Sequence, residues 1–142
     1  MPIVALVLLA LLFTAAPASA RTGSLVRADQ DQALGQILSD QKGQALYIFD
    51  REKQGRSRCY GACAEAWPPL ITKGLPRAGK GARLAHLGTT RRKDGRLQVT
   101  YRGQPLYYYE HDTPTRTICH DVYEFGGNWL AIRPNGRPLP TR

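Results

Sequence analysis

One short pattern occurs twice in the sequence and constrains the fold more than any other feature. Residues 45–52 read ALYIFDRE and residues 105–112 read PLYYYEHD, so each copy contains Tyr-x-aromatic-x-x-acid. A single tryptophan follows each copy, Trp67 after the first and Trp129 after the second. A repeat unit is usually one supersecondary piece that cannot bury its apolar face alone. The sequence therefore predicts two repeats, at about residues 35–70 and 87–136, within one domain.

The residues between and within the repeats have the alternation and turn signals of short strands. Glycine-containing turns at residues 40–43 and 102–104, and Asp94-Gly95, separate alternating apolar segments and predict β-hairpins. The predicted strands cover residues 36–39, 45–50, 87–91, 97–101, 106–109 and 129–132. A short helix is predicted over residues 62–66, because Pro68-Pro69 must end it, and residues 72–85 read as an exposed loop. The predicted fold is mainly β, a small α+β domain with two hairpin-based repeats and one short helix after the first.

The first twenty residues have the features of an export signal. Ile3–Ala16 is one apolar run of fourteen residues without charge, and Pro17-Ala18-Ser19-Ala20 has the small-x-small pattern of a signal-peptidase site. The run is shorter than the roughly 20 residues that span a bilayer as a helix. We therefore predict a cleaved signal peptide at residues 1–20 and a soluble mature domain at 21–142, periplasmic or secreted and without a transmembrane segment.

The positive charge is concentrated in the middle of the chain. The formal net charge is +9, and residues 51–102 hold thirteen Lys and Arg against three Asp and Glu. Such a segment attracts anionic partners over long range. We expect Arg91, Arg92 and Lys93 to bind an anionic envelope component or an acidic protein, and no nucleic-acid motif accompanies them. The alternative is a solvated face that keeps the protein soluble.

Four segments follow one another in the sequence: LYIFDRE, CYGACAEAWPPL, LGTTRRKDGRLQVTYRGQPLYYY and GGNWLAIRPNG. Together they resemble a bacterial family of secreted repeats, or predicted lipoproteins, with the motif Tyr-x-(Phe/Trp/Tyr)-x-x-Asp. The resemblance implies a cell-envelope or periplasmic module of unknown biochemical function rather than an enzyme. Two features depart from the family. Glu52 stands where the motif has Asp, and the lipid-attachment cysteine of many members is missing, which implies a freely soluble relative.

The repeated residues are the candidate binding residues. Alternate side chains of a strand share a face, so Tyr47 and Phe49 should point the same way, as should Tyr107 and Tyr109. Each repeat would then offer aromatic rings and a carboxylate to a planar ligand. The alternative is that the aromatics are core and the acids bind turn amides or tyrosine hydroxyls. The ligand-binding candidates are Tyr47, Phe49, Glu52, Trp67, Tyr107, Tyr109, Asp112 and Trp129.

Three cysteines in an exported chain allow one disulfide and one remaining thiol. The resemblance implies that Cys59 and Cys63 are the bridged pair, because both belong to the family's Cys-x-x-x-Cys segment. A bridge from either of them to Cys119 would instead clamp the two repeats together, and the residues alone leave these pairings open.

The same cysteines support a different class of function. Cys59, Cys63, Cys119 and His120, with His111 nearby in sequence, are ligands suited to copper or zinc. They would make the protein a metal-handling or thiol-redox accessory. The spacing does not match a zinc finger or a haem attachment site.

An enzyme is the third hypothesis. Asp50, Glu110 or Asp112 could act as acid and base on envelope glycans. The sequence has no GxSxG, HExxH, P-loop or dinucleotide fingerprint. We therefore expect an exported, non-catalytic binding or accessory module without a cofactor, with the metal or redox accessory as the alternative and the glycan hydrolase as the second alternative.

Overall fold

The computed structural model describes residues 22–53 and 55–141, so the predicted signal peptide lies outside the described residues. The described chain is mainly β with one short helix, as predicted from the sequence. The α-helix, α1, spans Ala62–Ala66, and a 3₁₀ helix of one turn spans Leu84–His86. The strands are β1 (Leu25–Asp31), β2 (Gly35–Asp40), β3 (Tyr47–Phe49), β4 (Ile71–Thr72), β5 (Arg77–Ala78), β6 (Leu87–Arg91), β7 (Leu97–Tyr101), β8 (Gln104–Pro105), β9 (Val122–Glu124) and β10 (Gly127–Ala131). None of the described helices has the length and apolar character needed to cross a bilayer.

The strands form three small sheets with the orders β2-β1-β5, β3-β10-β9 and β4-β7-β6, and β8 pairs with β7. The predicted hairpin at Asp94-Gly95 is confirmed: β6 and β7 are antiparallel and place Arg91 opposite Leu97. Gly95 has φ of 84°, which glycine adopts without the steric cost of a side chain. The predicted helix is confirmed at its full extent.

The predicted hairpin in the first repeat is confirmed only in part. The turn after β2 is present, with Asp40 N–H bonded to the Gln44 carbonyl at 3.0 Å. Beyond a single bridge between Ser39 and Ala45, however, β2 pairs with β1 and β3 pairs with β10. The segment predicted as an exposed loop contains β5, which pairs in parallel with β1. β3 and β5 thus take long-range partners, whereas β2 pairs with the strand directly before it.

The segment after each tryptophan pairs with the other repeat. β10 places Ala131 opposite Tyr47, and Pro69 forms the corresponding antiparallel bridge with Tyr107. Both Ala131 and Pro69 lie two residues after the tryptophan of their own repeat. Tyr47 and Tyr107 are also paired with each other, each N–H donating to the other's carbonyl at 2.9 Å. The repeats are therefore joined about these two tyrosines and exchange their final segments.

Further backbone hydrogen bonds repeat this exchange. Leu38 N–H donates to the Ile132 carbonyl at 2.8 Å, and Val99 N–H donates to the Leu70 carbonyl at the same distance. Each donor lies in the hairpin region of one repeat, and each acceptor lies beyond the tryptophan of the other. Because the main-chain groups of both repeats are satisfied across the boundary, neither repeat has a complete set of partners by itself.

Alternate residues of the repeated pattern enter two buried clusters. Tyr47 and Phe49 belong to one cluster, and Leu46 and Ile48 belong to the other. Tyr107 joins the first cluster, with Tyr109 packed against it. The prediction that these aromatic pairs share a face is confirmed. That face lies inside the protein.

Gly127 at the start of β10 provides a test of this packing. A Cβ added there would lie 2.5 Å from Asp50 Oδ1 and 2.5 Å from Phe49 Cε2, so Gly127→Ala must displace the ring that stacks on Trp129. We expect a loss of about 1–3 kcal/mol in the free energy of unfolding, measured by denaturant titration. The control is Gly126→Asn, where the added Cβ meets nothing within 4 Å; only the strain of a side chain at φ 81° remains, so its loss should be smaller. An unchanged midpoint for Gly127→Ala would contradict the packing.

Candidate functional site: the motif core and the basic cavity

The rings of the repeated pattern form a stacked column that alternates between repeats. Phe49 stacks on Trp129 at 4.3 Å and 5°, and Trp129 stacks on Trp67 at 4.2 Å and 7°. Tyr109 tilts against Trp67 at 4.7 Å and 41°. The second aromatic of each pattern thus contacts the tryptophan of the other repeat. We call these four rings, with Tyr47, Tyr107, Glu52 and Asp112, the motif core.

The tyrosines and acids of the motif core are exchanged in the same way. The Tyr107 hydroxyl donates to Glu52 Oε2 at 2.7 Å, and the Tyr47 hydroxyl donates to Asp112 Oδ2. Each acid also accepts the backbone N–H of the residue six positions further on, at 2.9 Å in the case of Asp112. The acid of one repeat therefore fixes the tyrosine of the other and the loop of its own.

A buried arginine extends the hydrogen-bond network around Glu52. Arg92 Nη1 donates to Ser57 Oγ at 2.6 Å, Ser57 bonds to the Tyr107 hydroxyl at 2.6 Å, and Tyr107 donates to Glu52. Arg92 also donates to the side chain of Gln98 and to the Cys59 carbonyl. The Asp112 half of the core has no arginine among its described hydrogen-bond partners. The two halves thus share a pattern and differ in charge.

Burial dominates the electrostatics of the two acids. Desolvation raises the pKa of Glu52 to about 7, although hydrogen bonds from Tyr107 and the Arg58 N–H and the nearby positive charges of Arg92 and Arg58 favour its ionised form. The pKa of Asp112 is also raised, again chiefly by burial. Burial and the facing carboxylates raise the pKa values of Tyr47 and Tyr107, so both remain hydroxyl donors. These acids are ionised less readily than surface carboxylates.

The structure brings all eight sequence-predicted binding residues together, but inside the protein. Seven are buried and only Tyr109 is partly exposed. Their rings contact one another, and both carboxylates accept hydrogen bonds from protein groups. A role for them in binding a ligand stays a prediction, and any such ligand would reach the column at its Tyr109 end.

The cysteines adopt the pairing that the family resemblance implied. Cys59 and Cys63 are bridged, with Cα atoms 5.2 Å apart, at the start of α1. Cys119 is a free, half-buried thiol whose pKa is raised by burial. The neighbouring Cys119 thiol and burial raise the pKa of Tyr109 to about 12. Cys119 lies sixty residues after Cys59, as Tyr107 lies sixty residues after Tyr47, so it has the position in the second repeat that Cys59 has in the first.

The residues suggested as metal ligands are otherwise engaged or apart. His120 Nδ1 accepts the Ala131 N–H at 3.2 Å, and Nε2 lies 3.0 Å from the Pro140 carbonyl. His111 is exposed and lies 3.4 Å from Glu110. Within residues 22–53 and 55–141, no three His, Cys, Asp or Glu side chains are grouped to hold a metal ion.

The carboxylates suggested for glycan hydrolysis have different environments. Asp50 accepts hydrogen bonds from the backbone and side-chain amides of Asn128, at 3.0 and 2.9 Å. Glu110 is exposed beside His111, while Asp112 is buried in the motif core. Asp50 and Asp112 thus have evident roles in holding the β3–β10 and inter-repeat contacts.

A group of cations that the sequence analysis did not single out lines a cavity of about 420 Å³. The cavity is formed by Arg51, Lys53, Arg56 and Arg58, and we call it the basic cavity. All four side chains belong to exposed residues, and none lies within ion-pairing distance of a described carboxylate. The signal was present in the sequence as four cations within eight positions, directly after the first repeated pattern.

The cations predicted from the sequence to bind an anionic partner, at positions 91–93, do not form one surface. Arg91 and Lys93 are exposed, but Arg92 is buried. Grouping Arg92 with surface cations was wrong, because its guanidinium is needed by the Ser57, Gln98 and Cys59 acceptors of the interior. Arg92 nevertheless stacks 4.4 Å above the Tyr60 ring, which Lys93 Nζ also approaches at 4.9 Å.

Comparison with known families gives one match. The model of a family described as a secreted repeat of unknown function matches residues 30–71 and 88–133, which is more than half of the chain. The two matched segments contain the two copies of the repeated pattern. Comparison with curated proteins and with solved structures gave no match.

The raised pKa of Glu52 predicts how stability depends on pH. The folded protein binds the Glu52 proton more tightly than the unfolded chain, so the contribution is complete below pH 4.5 and is lost as pH rises through about 7. The loss is on the order of 3 kcal/mol, at about 1.4 kcal/mol per pKa unit. Glu52→Gln should reduce the pH dependence of the free energy of unfolding between these pH values and leave the part due to Asp112, whose pKa is also raised.

Glu65→Gln is the matched control for this measurement, since Glu65 is an exposed acid on α1. It should leave the pH profile of the parent protein unchanged. Urea titrations at a series of pH values measure both profiles. If Glu52→Gln kept the same slope as the parent, the buried carboxyl would not be the titrating group.

Proposed function

Because the chain belongs to the family of secreted repeats of unknown function, we propose that it is an exported, non-catalytic module that binds an anionic component of the cell envelope. The basic cavity is the observation that carries this function. Its four cations are exposed, and none forms a close ion pair with a carboxylate of the described residues. No cofactor is part of this function, and the protein would act in the periplasm or outside the cell.

The positive charge of the basic cavity favours binding of an anionic partner. Four like charges around one cavity repel each other, and their repulsion is relieved when an anion neutralises them. Arg51 holds its place by donating to the Gly126 carbonyl at 2.5 Å. Ionic strength should therefore control binding, because exposed charges are screened over about 8–10 Å at physiological salt.

The motif core supports a binding role rather than a catalytic one. Glu52 Oε2 and both oxygens of Asp112 accept hydrogen bonds from tyrosine hydroxyls and backbone amides, Glu52 Oε1 is buried without a hydrogen-bond partner, and both acids are buried. A catalytic acid or base must lie within hydrogen-bond reach of a substrate proton. The motif core instead supports the exposed loops. Glu52 accepts the backbone N–H of Arg58, and the cations that line the basic cavity lie on both sides of Glu52 in the sequence.

Binding to isolated bacterial envelope fragments at low and high salt tests this function. The variant Lys53→Gln with Arg56→Gln removes two of the four cavity charges, and we expect at least tenfold weaker binding at low salt, since each cation near an anionic surface contributes about 1 kcal/mol. Binding of the parent protein should fall as salt is raised.

Two further double variants serve as comparisons. Arg116→Gln with Arg137→Gln removes the same charge from exposed positions outside the cavity, and it should bind nearly as the parent does. Arg91→Gln with Lys93→Gln tests the segment predicted from the sequence. Equal binding by the parent and the cavity variant, or binding insensitive to salt, would refute the proposed function.

A further inference from the structure

The β9–β10 hairpin carries two aromatic side chains that are exposed to solvent and add little to the buried core. Tyr123 and Phe125 are 66% and 49% exposed. Phe125 and Gly126 form the turn, with φ values of 53° and 81°. Turns with two positive φ values favour Asn-Gly or Asp-Gly, and a bulky residue at positive φ is uncommon. Exposed phenylalanine thus occupies a place that turn chemistry alone would give to asparagine.

This turn adjoins the basic cavity. Arg51 lines the cavity, and its Nε donates to the carbonyl of Gly126 at the turn. The same arginine follows Asp50, which holds the Asn128 amides at the other side of the turn. The turn that carries Phe125 therefore lies beside Arg51 of the basic cavity, and Asp50 and Arg51, directly after β3, hold the two together.

We propose that this surface, made of the basic cavity and the side chains of Tyr123 and Phe125, docks the protein on an anionic phospholipid bilayer. Aromatic rings favour the interface between headgroups and acyl chains, and Lys and Arg near an anionic leaflet are attracted to it. Docking of this kind rests on the proposed envelope-binding function and specifies its partner. It needs no spanning helix, because the protein would lie on the membrane rather than cross it.

A bilayer fits both halves of the surface better than a soluble anion does. A free phosphate would neutralise the cavity and leave the two rings in water. A bilayer takes the rings into the headgroup region at the same time as its lipid phosphates meet the cations. Single-stranded nucleic acid also combines stacking with phosphate contacts, so it is included in the test as a competitor.

Vesicle sedimentation with purified protein tests the docking surface. Phosphatidylcholine vesicles are compared with vesicles that also contain phosphatidylglycerol, at low and high salt. We expect binding to the anionic vesicles only, reduced by salt. The cavity variant Lys53→Gln with Arg56→Gln should bind about fivefold more weakly for each cation removed. The aromatic variant, Tyr123→Ser with Phe125→Asn, should bind at least fivefold more weakly, and asparagine suits the positive φ of the turn.

Leu75→Ser is the control, because Leu75 is an exposed apolar residue (77%) outside this surface. It should bind as the parent does, and circular dichroism should show that all variants are folded. Binding that is lost with the cavity charges but unchanged by the aromatic variant would overturn bilayer docking and leave the anionic partner of the proposed function intact. Full competition by glycerol phosphate or by single-stranded DNA would also overturn it. If the parent protein bound neither the anionic vesicles nor the envelope fragments, both bilayer docking and the proposed function would be refuted.

Discussion

The exchange of hydrogen bonds between the two repeats is the constraint on which the rest of the structure depends. Tyr107 donates to Glu52 of the first repeat, Tyr47 donates to Asp112 of the second, and the backbones of the two tyrosines pair with each other. Buried acids need such partners, because leaving one unpaired costs about 1–3 kcal/mol or more. Each acid accepts one amide of its own repeat but takes its tyrosine partner from the other, so the pattern requires both copies to be present.

The same constraint separates the residues that build the fold from the residues that are free to bind. The rings and acids of the repeated pattern stabilise the interior, whereas the loop after Glu52 and the turn between β9 and β10 project from it. The halves have also diverged: among the described residues, only the first has a disulfide, and only its acid is linked to a buried arginine. A symmetric scaffold with an asymmetric surface fits a module that presents one face to its partner.

Sequence reasoning predicted what local signals determine, and it failed where long-range pairing decides. Gly95 and Pro68-Pro69 predicted a hairpin and a helix end because their backbone preferences act locally. Alternation predicted that Tyr47 and Phe49 share a face. It could not predict whether that face is buried or which part of the chain covers it. The exchange of final segments could not be predicted. Both repeats carry the same Tyr-x-aromatic-x-x-acid pattern, so pairing within a repeat and pairing between repeats fit the sequence equally well. Arg92 was misplaced because a buried arginine resembles an exposed one in sequence.

A double-mutant cycle on Tyr107 and Glu52 tests the exchange most directly. Tyr107→Phe, Glu52→Gln and the double variant are compared by their free energies of unfolding. The cycle should give a coupling of about 0.5–3 kcal/mol, because the two side chains are bonded across the repeats. Tyr107→Phe with Asp112→Asn, the acid of the same repeat, should be additive within about 0.5 kcal/mol. Additivity for Tyr107 with Glu52, together with coupling to Asp112, would contradict the exchange.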